Sequence, residues 1–221
     1  MQASRAIIHL DNLRKNIRAA REKAGPHPKI CIPVKADAYG HGVVSVSRCA
    51  MEAGAEYLAV SIFPEGMELR AAGITAPVLL LSQVLPEELP AIASMELTLL
   101  VSDEEFIETA ASAAEKAGKK IKVHLKIDTG MGRLGCNPED AAYLAGKISS
   151  NRWLHLEGTA THLSVADSLD PGDMAYTKEQ LRRFREAISS IEKAGLSPGI
   201  VHAANSGALV LTKSSTILTD T

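Results

Sequence analysis

Two periods of apolar and polar residues alternate along the chain. Stretches with strand spacing or short apolar runs recur at residues 29–34, 57–60, 78–81, 97–101, 121–127, 154–161 and 199–203, with a weaker one at 216–218. Between them lie helical patterns opened by recognisable start signals: Pro64 before residues 65–72, Pro86 before 87–94, Ser102-Asp103 before 104–117 and Asn137-Pro138 before 139–148. The longest helical pattern, residues 173–193, runs towards Gly195 as its C-cap. After an extended lead over residues 5–9, Asp11 is placed to cap a helix to about residue 22, with Leu13, Ile17 and Ala20 at helical spacing. Strands separated by helices through short connections predict parallel strands with right-handed crossovers. The expected fold is an α/β, TIM-type (β/α)8 barrel, its completeness at the last strand left open, with an open doubly wound sheet as the alternative. No linker, repeat or low-complexity tract interrupts the pattern. The expected organisation is a lead strand over residues 1–10 and one barrel domain over 11–221.

The run Val34-Lys35-Ala36-Asp37-Ala38-Tyr39-Gly40-His41-Gly42 adds chemistry to this frame. Ile30, Ile32 and Val34 alternate with Cys31, Pro33 and Lys35, so the branched residues share one strand face and Lys35 takes the other. In a barrel that second face points into the mouth. A desolvated amine there becomes nucleophilic towards an aldehyde, although most lysines are simply solvated.

Composition narrows the function classes. Among 221 residues the formal net charge is −2 and aromatics make up 4%, which leaves neither a basic footprint nor a stacking platform for nucleic acid. The sequence has no apolar run of membrane-spanning length, and its start, Met1-Gln2-Ala3-Ser4-Arg5, lacks the apolar region of a signal peptide, so a soluble, cytoplasmic protein without membrane partners is expected. Cys31, Cys49 and Cys136 are widely spaced and odd in number, and read as small, partly buried hydrophobes in a reducing compartment, with no metal site.

A second block is Ile121-Lys122-Val123-His124-Leu125-Lys126-Ile127-Asp128, which alternates without a break and sets four ionisable side chains on one face. The glycine-rich Thr129-Gly130-Met131-Gly132-Arg133-Leu134-Gly135 follows at the strand's C-terminal end, where barrel enzymes keep their sites. Thr159-Ala160-Thr161-His162-Leu163-Ser164-Val165-Ala166-Asp167 ends the next strand, and Val201-His202-Ala203-Ala204-Asn205-Ser206-Gly207 leads into a helix whose first turn, with the Ser206 hydroxyl, can offer donors to a phosphate. Ser82 and Gln83 close a strand and are mouth-lining candidates by position. Tyr57, Trp153 and Tyr176 read as packing.

These blocks, in this order, resemble the alanine racemase family over about residues 6–208. The resemblance implies pyridoxal 5'-phosphate as cofactor, held covalently by Lys35, the catalytic residue, with Tyr39 beside it at the phosphate end. It also implies that Arg133 donates to the cofactor's phenolic oxygen and helps hold the substrate carboxylate, and that Met131 contributes backbone contacts to a partner subunit's site. Lys126 matches a lysine often carbamylated to fix that arginine. His162 packs against the cofactor ring, Asn205 and Ser206 belong to the cofactor site, and His202 supports an arginine facing the pyridine nitrogen. The implied reaction interconverts L-alanine and D-alanine for peptidoglycan, in a homodimer.

The tail departs from the family pattern. Relatives continue with an Arg-Pro-Gly segment on the last strand and a β-rich second domain carrying the opposite-face tyrosine base, whereas this sequence stops at Thr219-Asp220-Thr221. The expectation is a barrel domain without its C-terminal β domain, in which Lys35 serves one face of Cα. The alternatives are a racemase of a related amino acid such as serine, a non-catalytic single-barrel pyridoxal-phosphate protein, which would lack the Gly-Met-Gly-Arg loop, and a fragment that binds nothing.

Overall fold

The computed structural model describes residues 5–211, and its contacts gather into two compact units, Met1–Leu79 and Leu80–Thr221. The first unit holds α1 (Leu10–Ala24), β1 (Cys31–Pro33), α2 (Lys35–Gly40), α3 (Val43–Glu52), β2 (Tyr57–Val60), α4 (Phe63–Ala71) and the start of β3 (Val78–Leu80). Strands β1 and β2 are parallel, with Cys31 opposite Tyr57 and Pro33 opposite Ala59. The Val34 N–H continues the ladder to the Ala59 carbonyl at 2.8 Å, and the Leu58 N–H reaches the Pro77 carbonyl at 2.9 Å. The alternation at β1 holds: Ile30 and Val34 are buried and Ile32 half-buried, while Cys31 and Pro33 are exposed. Every residue of β2 is buried, as expected of a parallel strand covered on both faces.

Two features of the lead differ from expectation. Residues 5–9 form no strand, and α1 begins at Leu10 with His9 as N-cap. Asp11 therefore sits inside the first turn, where it favours the helix dipole and pairs with Arg14 at 2.6 Å. Helix α3, absent from the expected elements, buries Val43, Val46, Cys49 and Ala50 on one face.

The second unit contains α5 (Leu89–Ser94), β4 (Thr98–Val101), α6 (Glu104–Ala117), β5 (Ile121–Lys126), α7 (Ala141–Ser150), β6 (Leu154–Ala160), α8 (Pro171–Lys193), β7 (Ile200–His202) and α9 (Ser206–Leu211). Strands β4, β5, β6 and β7 pair in parallel and in chain order, without the switch point of a doubly wound sheet. The chain is thus α/β, an incomplete (β/α)8 arrangement with seven parallel strands among the described residues. The weak strand at 216–218 lies outside those residues.

Capping follows the sequence. The Asp103 carboxylate accepts from the Phe106 N–H at 2.8 Å and starts α6, which stops at Gly118 in the left-handed region. Asp170 caps α8 by accepting from the N–H groups of Gly172 and Asp173, with Pro171 opening the helix two residues ahead of the expected start. One irregularity matters for the site. Between Val123 and His124 the register shifts, so that Val123 faces Leu156 and His124 faces Gly158, leaving Glu157 as an extra residue in β6.

Candidate functional site

The loop after β5 is a closed excursion. The Cys136 N–H donates to the Lys126 carbonyl and the Asp128 N–H to the Cys136 carbonyl, each at 2.9 Å, so residues 128–136 leave and rejoin the strand at one point. Within the loop the Asp128 carboxylate accepts from the N–H groups of Gly130 and Gly132 at 2.9 Å. Burial alone would push that carboxyl up, but these N–H groups and that of Met131 outweigh it and hold it below its ordinary value. Two glycines are needed here. A Cβ on Gly135, whose φ is +140°, would lie 2.4 Å from the Asp128 nitrogen, and one on Gly130, with φ +137°, would lie 2.3 Å from Tyr176 Oη.

Helix α8 grips this loop with one face. Tyr176, Gln180 and Arg183 fall at i, i+4 and i+7. The Tyr176 hydroxyl donates to the Gly130 carbonyl at 2.6 Å and the Arg183 guanidinium to the Thr129 carbonyl at 3.2 Å. Tyr176 is thus exposed and hydrogen-bonded, not the packing residue expected. Gln180, with 0% exposure, donates to Thr129 Oγ1 at 3.3 Å and to the His162 carbonyl at 3.2 Å, while its oxygen accepts from the Ser164 N–H at 3.0 Å. Thr161 Oγ1 lies 2.8 Å from Thr129 Oγ1 and donates to the Ile127 carbonyl. The loops after β5 and β6 are therefore joined by the Thr129–Thr161 hydroxyl pair and by one buried amide.

Lys126, Met131, Arg133 and His162 line one small cleft with Leu81, Ile127, Asp128 and Leu134. Arg133 is exposed and His162 half-buried, whereas Lys126 is 8% exposed. Burial pushes the Lys126 amine down to about 8; the Arg133 charge adds to this and the Asp128 charge opposes it. At α9, Asn205 uses its amide structurally: Nδ2 donates to the Leu163 carbonyl at 3.0 Å and Oδ1 accepts from the Ala208 N–H at 3.0 Å. This brings the start of α9, with exposed Ser206, to the segment that follows His162. Gly207 packs there so closely that a Cβ would lie 2.8 Å from the Asp167 backbone nitrogen.

A separate row of ionisable groups runs from β5 to β7. The Lys122 amine is 2.7 Å from one Glu157 oxygen. The other accepts from Thr98 Oγ1 at 3.1 Å and lies 3.3 Å from His124 Nε2. His124 Nδ1 is in turn 2.8 Å from His202 Nε2. The ring of His124, 2% exposed, packs against Gly158, where a Cβ would sit 2.9 Å from Cε1. Burial would raise Glu157, yet the hydrogen bond from His124 and the Lys122 ion pair bring its carboxyl down to about 2. Desolvation, with the charges of His124 and Lys126, takes His202 down to about 3.

Acid should therefore destabilise the chain in a defined window. The unfolded chain protonates His202 near 6.5 while the folded chain holds it neutral to about 3. More protons are then bound unfolded, so stability falls as pH drops through that interval. Glu157 acts in the same direction below its ordinary 4.5, until the folded carboxylate protonates near 2. Thermal midpoints measured between these values should fall with pH, and His202→Gln should flatten the part between about 6.5 and 4.5. An equally steep curve for the variant would assign the acid sensitivity elsewhere.

In the first unit, Lys35 opens α2 instead of ending β1. The turn is left-handed: Ala36, Asp37, Ala38 and Tyr39 have φ of 50°, 52°, 52° and 56°. L-residues avoid this region at a cost of about 1–2 kcal/mol each, so four in succession require outside support. Lys35 is half-buried, with its amine 5.9 Å from the centroid of the exposed Tyr39 ring. Among the described residues there is no group of three or more His, Cys, Asp or Glu able to hold a metal. No described helix is long and apolar enough to cross a membrane.

The residues named from sequence thus fall into four sets. Lys126, Met131, Arg133 and His162 share a cleft; Asn205 and Ser206 begin α9; His202 joins His124; and Lys35 and Tyr39 form the left-handed turn. Ser82 and Gln83 are not among the residues lining the cleft; Leu81 is. Glu157, Gln180 and Glu65 were not singled out.

A family profile described as the alanine racemase N-terminal domain matches residues 8–219. The alanine racemase of Treponema denticola is 49% identical over 210 residues, covering 95% of this chain and 55% of that protein. The solved alanine racemase of Clostridium difficile 630 superposes with a TM-score of 0.86 at 34% identity, covering 90% of this chain and 55% of that one. Its complex with cycloserine gives 0.84, with 90% and 54% covered. The chain spans about half the length of these relatives. By profile, sequence and fold, it belongs to the alanine racemase N-terminal domain family.

Proposed function

We propose that this chain is the cofactor-binding half of an alanine racemase, an isomerase that interconverts L-alanine and D-alanine using pyridoxal 5'-phosphate. The observation that carries the reading is the cleft in which Lys126, Met131, Arg133 and His162 meet. Its donor set fits the cofactor: an exposed guanidinium for an anionic oxygen, a half-buried imidazole ring, and the exposed Ser206 hydroxyl at a close-packed glycine turn. The C. difficile relative bound to cycloserine supports an amino-acid-like substrate.

When bound, pyridoxal phosphate supplies an aldehyde for an amine and a ring that withdraws electrons from the substrate Cα. The protein's own groups do the rest. Lys35 attaches the cofactor and carries a proton to or from one face of Cα. Tyr39, next to it, serves the phosphate end with Ser206, and Asn205 holds the turn that presents Ser206. Arg133 donates to the phenolic oxygen and to the substrate carboxylate, a task for a planar group with several donors. The suppressed charge of Lys126 supports its carbamylation, which would replace a cation beside Arg133 with an anion. His162 would pack against the ring, and Met131 would offer backbone contacts to a partner subunit. We place the enzyme in the cytoplasm as a homodimer supplying D-alanine to peptidoglycan.

The test is to add pyridoxal phosphate, reduce with borohydride and map the adduct by mass spectrometry. Modification of Lys35 is expected. A pyridoxyl group on another lysine, or none, would overturn the reading. Conversion of L-alanine by the full-length protein, with L-serine in parallel, separates alanine from its nearest competitor.

A further inference from the structure

We infer that Glu65 is a positioning residue for Lys35, its carboxylate pinning the first peptide of the left-handed turn to the loop that opens α4. The role of Lys35 rests on the function proposed above; the hold on the turn does not.

The geometry is specific. Glu65 Oε1 accepts from the Ala36 N–H at 2.6 Å. Oε2 accepts from the Ser61 N–H at 2.7 Å and the Ile62 N–H at 3.3 Å. One carboxylate therefore uses both oxygens on the two segments that follow the paired strands β1 and β2. A glutamate that merely capped α4 would need only its contact with Ile62. The added bond from Oε1 fixes the peptide between Lys35 and Ala36, and that peptide sets the direction in which the Lys35 side chain leaves the backbone.

The rest of the turn is held locally. The Ala38 N–H donates to the Val34 carbonyl at 2.9 Å, the Gly42 N–H to the Asp37 carbonyl at 3.0 Å, and the Asp37 carboxylate accepts from the Val43 N–H at 2.7 Å. These bonds close the turn on itself and join it to α3. Ala36 is the residue of the left-handed run next to the lysine, and its N–H is tied to a distant side chain, 29 positions along the sequence. Since the run is intrinsically disfavoured for L-residues, removing that tie should release the turn before anything else.

Glu65→Gln tests this, because an amide keeps one acceptor and turns an N–H₂ towards a backbone donor. Hydrogen exchange over residues 34–42 should quicken by roughly tenfold or more, with residues 98–101 and 121–126 unchanged. Pyridoxal phosphate uptake should slow by a similar factor, while the reduced adduct at saturation still maps to Lys35. Glu68→Gln, an exposed change on the same helix, should alter neither rate. Unchanged exchange over residues 34–42 in Glu65→Gln would overturn the proposal, and so would equal quickening throughout the chain. If the unaltered chain takes up no cofactor at Lys35, the proposed function fails, and the exchange measurement still decides whether Glu65 holds the turn.

Discussion

Lys35→Ala should leave a folded chain that no longer takes up pyridoxal phosphate covalently, and the full-length protein carrying it should lose D-alanine formation by at least about 10²–10⁴-fold, the range of a lost proton-transfer group. The fold should persist, because Lys35 is half-buried and the turn around it is built from backbone bonds and the carboxylates of Asp37 and Glu65. Lys126 is the rival amine. Burial brings it down to about 8, so it is neutral more often than a solvated lysine, but at 8% exposure it offers little room for attack. Borohydride reduction followed by peptide mapping distinguishes the two. An adduct of wild-type yield on Lys126 in the Lys35→Ala chain would remove Lys35 from its assigned role.

Gln180→Leu should destabilise the second unit by about 2–4 kcal/mol, on the scale of breaking a buried hydrogen-bond network. Leucine roughly fills the volume, so the loss comes from the His162 carbonyl and the Ser164 N–H and hydroxyl, which lose the amide together, while Thr129 Oγ1 keeps Thr161. For a chain of this size the thermal midpoint should drop by roughly 5–15 °C. The damage should also be local. Exchange over residues 128–136 and 162–168 should rise more than in β4, since the amide joins those two loops. A midpoint within a degree or so of wild type would mean that water replaces the amide at no cost.

The strands were readable because parallel strands advertise themselves as apolar runs and alternations. β5 is the clearest case: its Lys122, His124 and Lys126 share a face, as the Glu157 contacts to both Lys122 and His124 require. The glycine loop was readable because Gly130 and Gly135 occupy conformations that bulkier residues resist. The left-handed turn was not. Alanine, aspartate and tyrosine have no local preference for it, and it exists because Glu65, remote in sequence, takes the first N–H. Glu157 escaped for another reason: the extra residue in β6 breaks the period of two that a reading of alternation assumes. Gln180 looked like any polar residue on a long helix, since only the packed structure shows that its side of α8 meets the loops.

The row from Glu157 to His202 also orders protons. Glu157 keeps its charge down to about pH 2, so near neutrality it can only accept, and the neighbouring nitrogen of His124 must be the protonated one. The hydrogen between His124 Nδ1 and His202 Nε2 belongs to one ring or the other, and His202, held neutral down to about 3, has a single ring hydrogen to place. Where His202 gives that hydrogen, its Nδ1 is left to accept; where it receives one, its own hydrogen sits on Nδ1 and can only be given. A donor or an acceptor arriving at that nitrogen therefore decides which ring keeps the shared hydrogen.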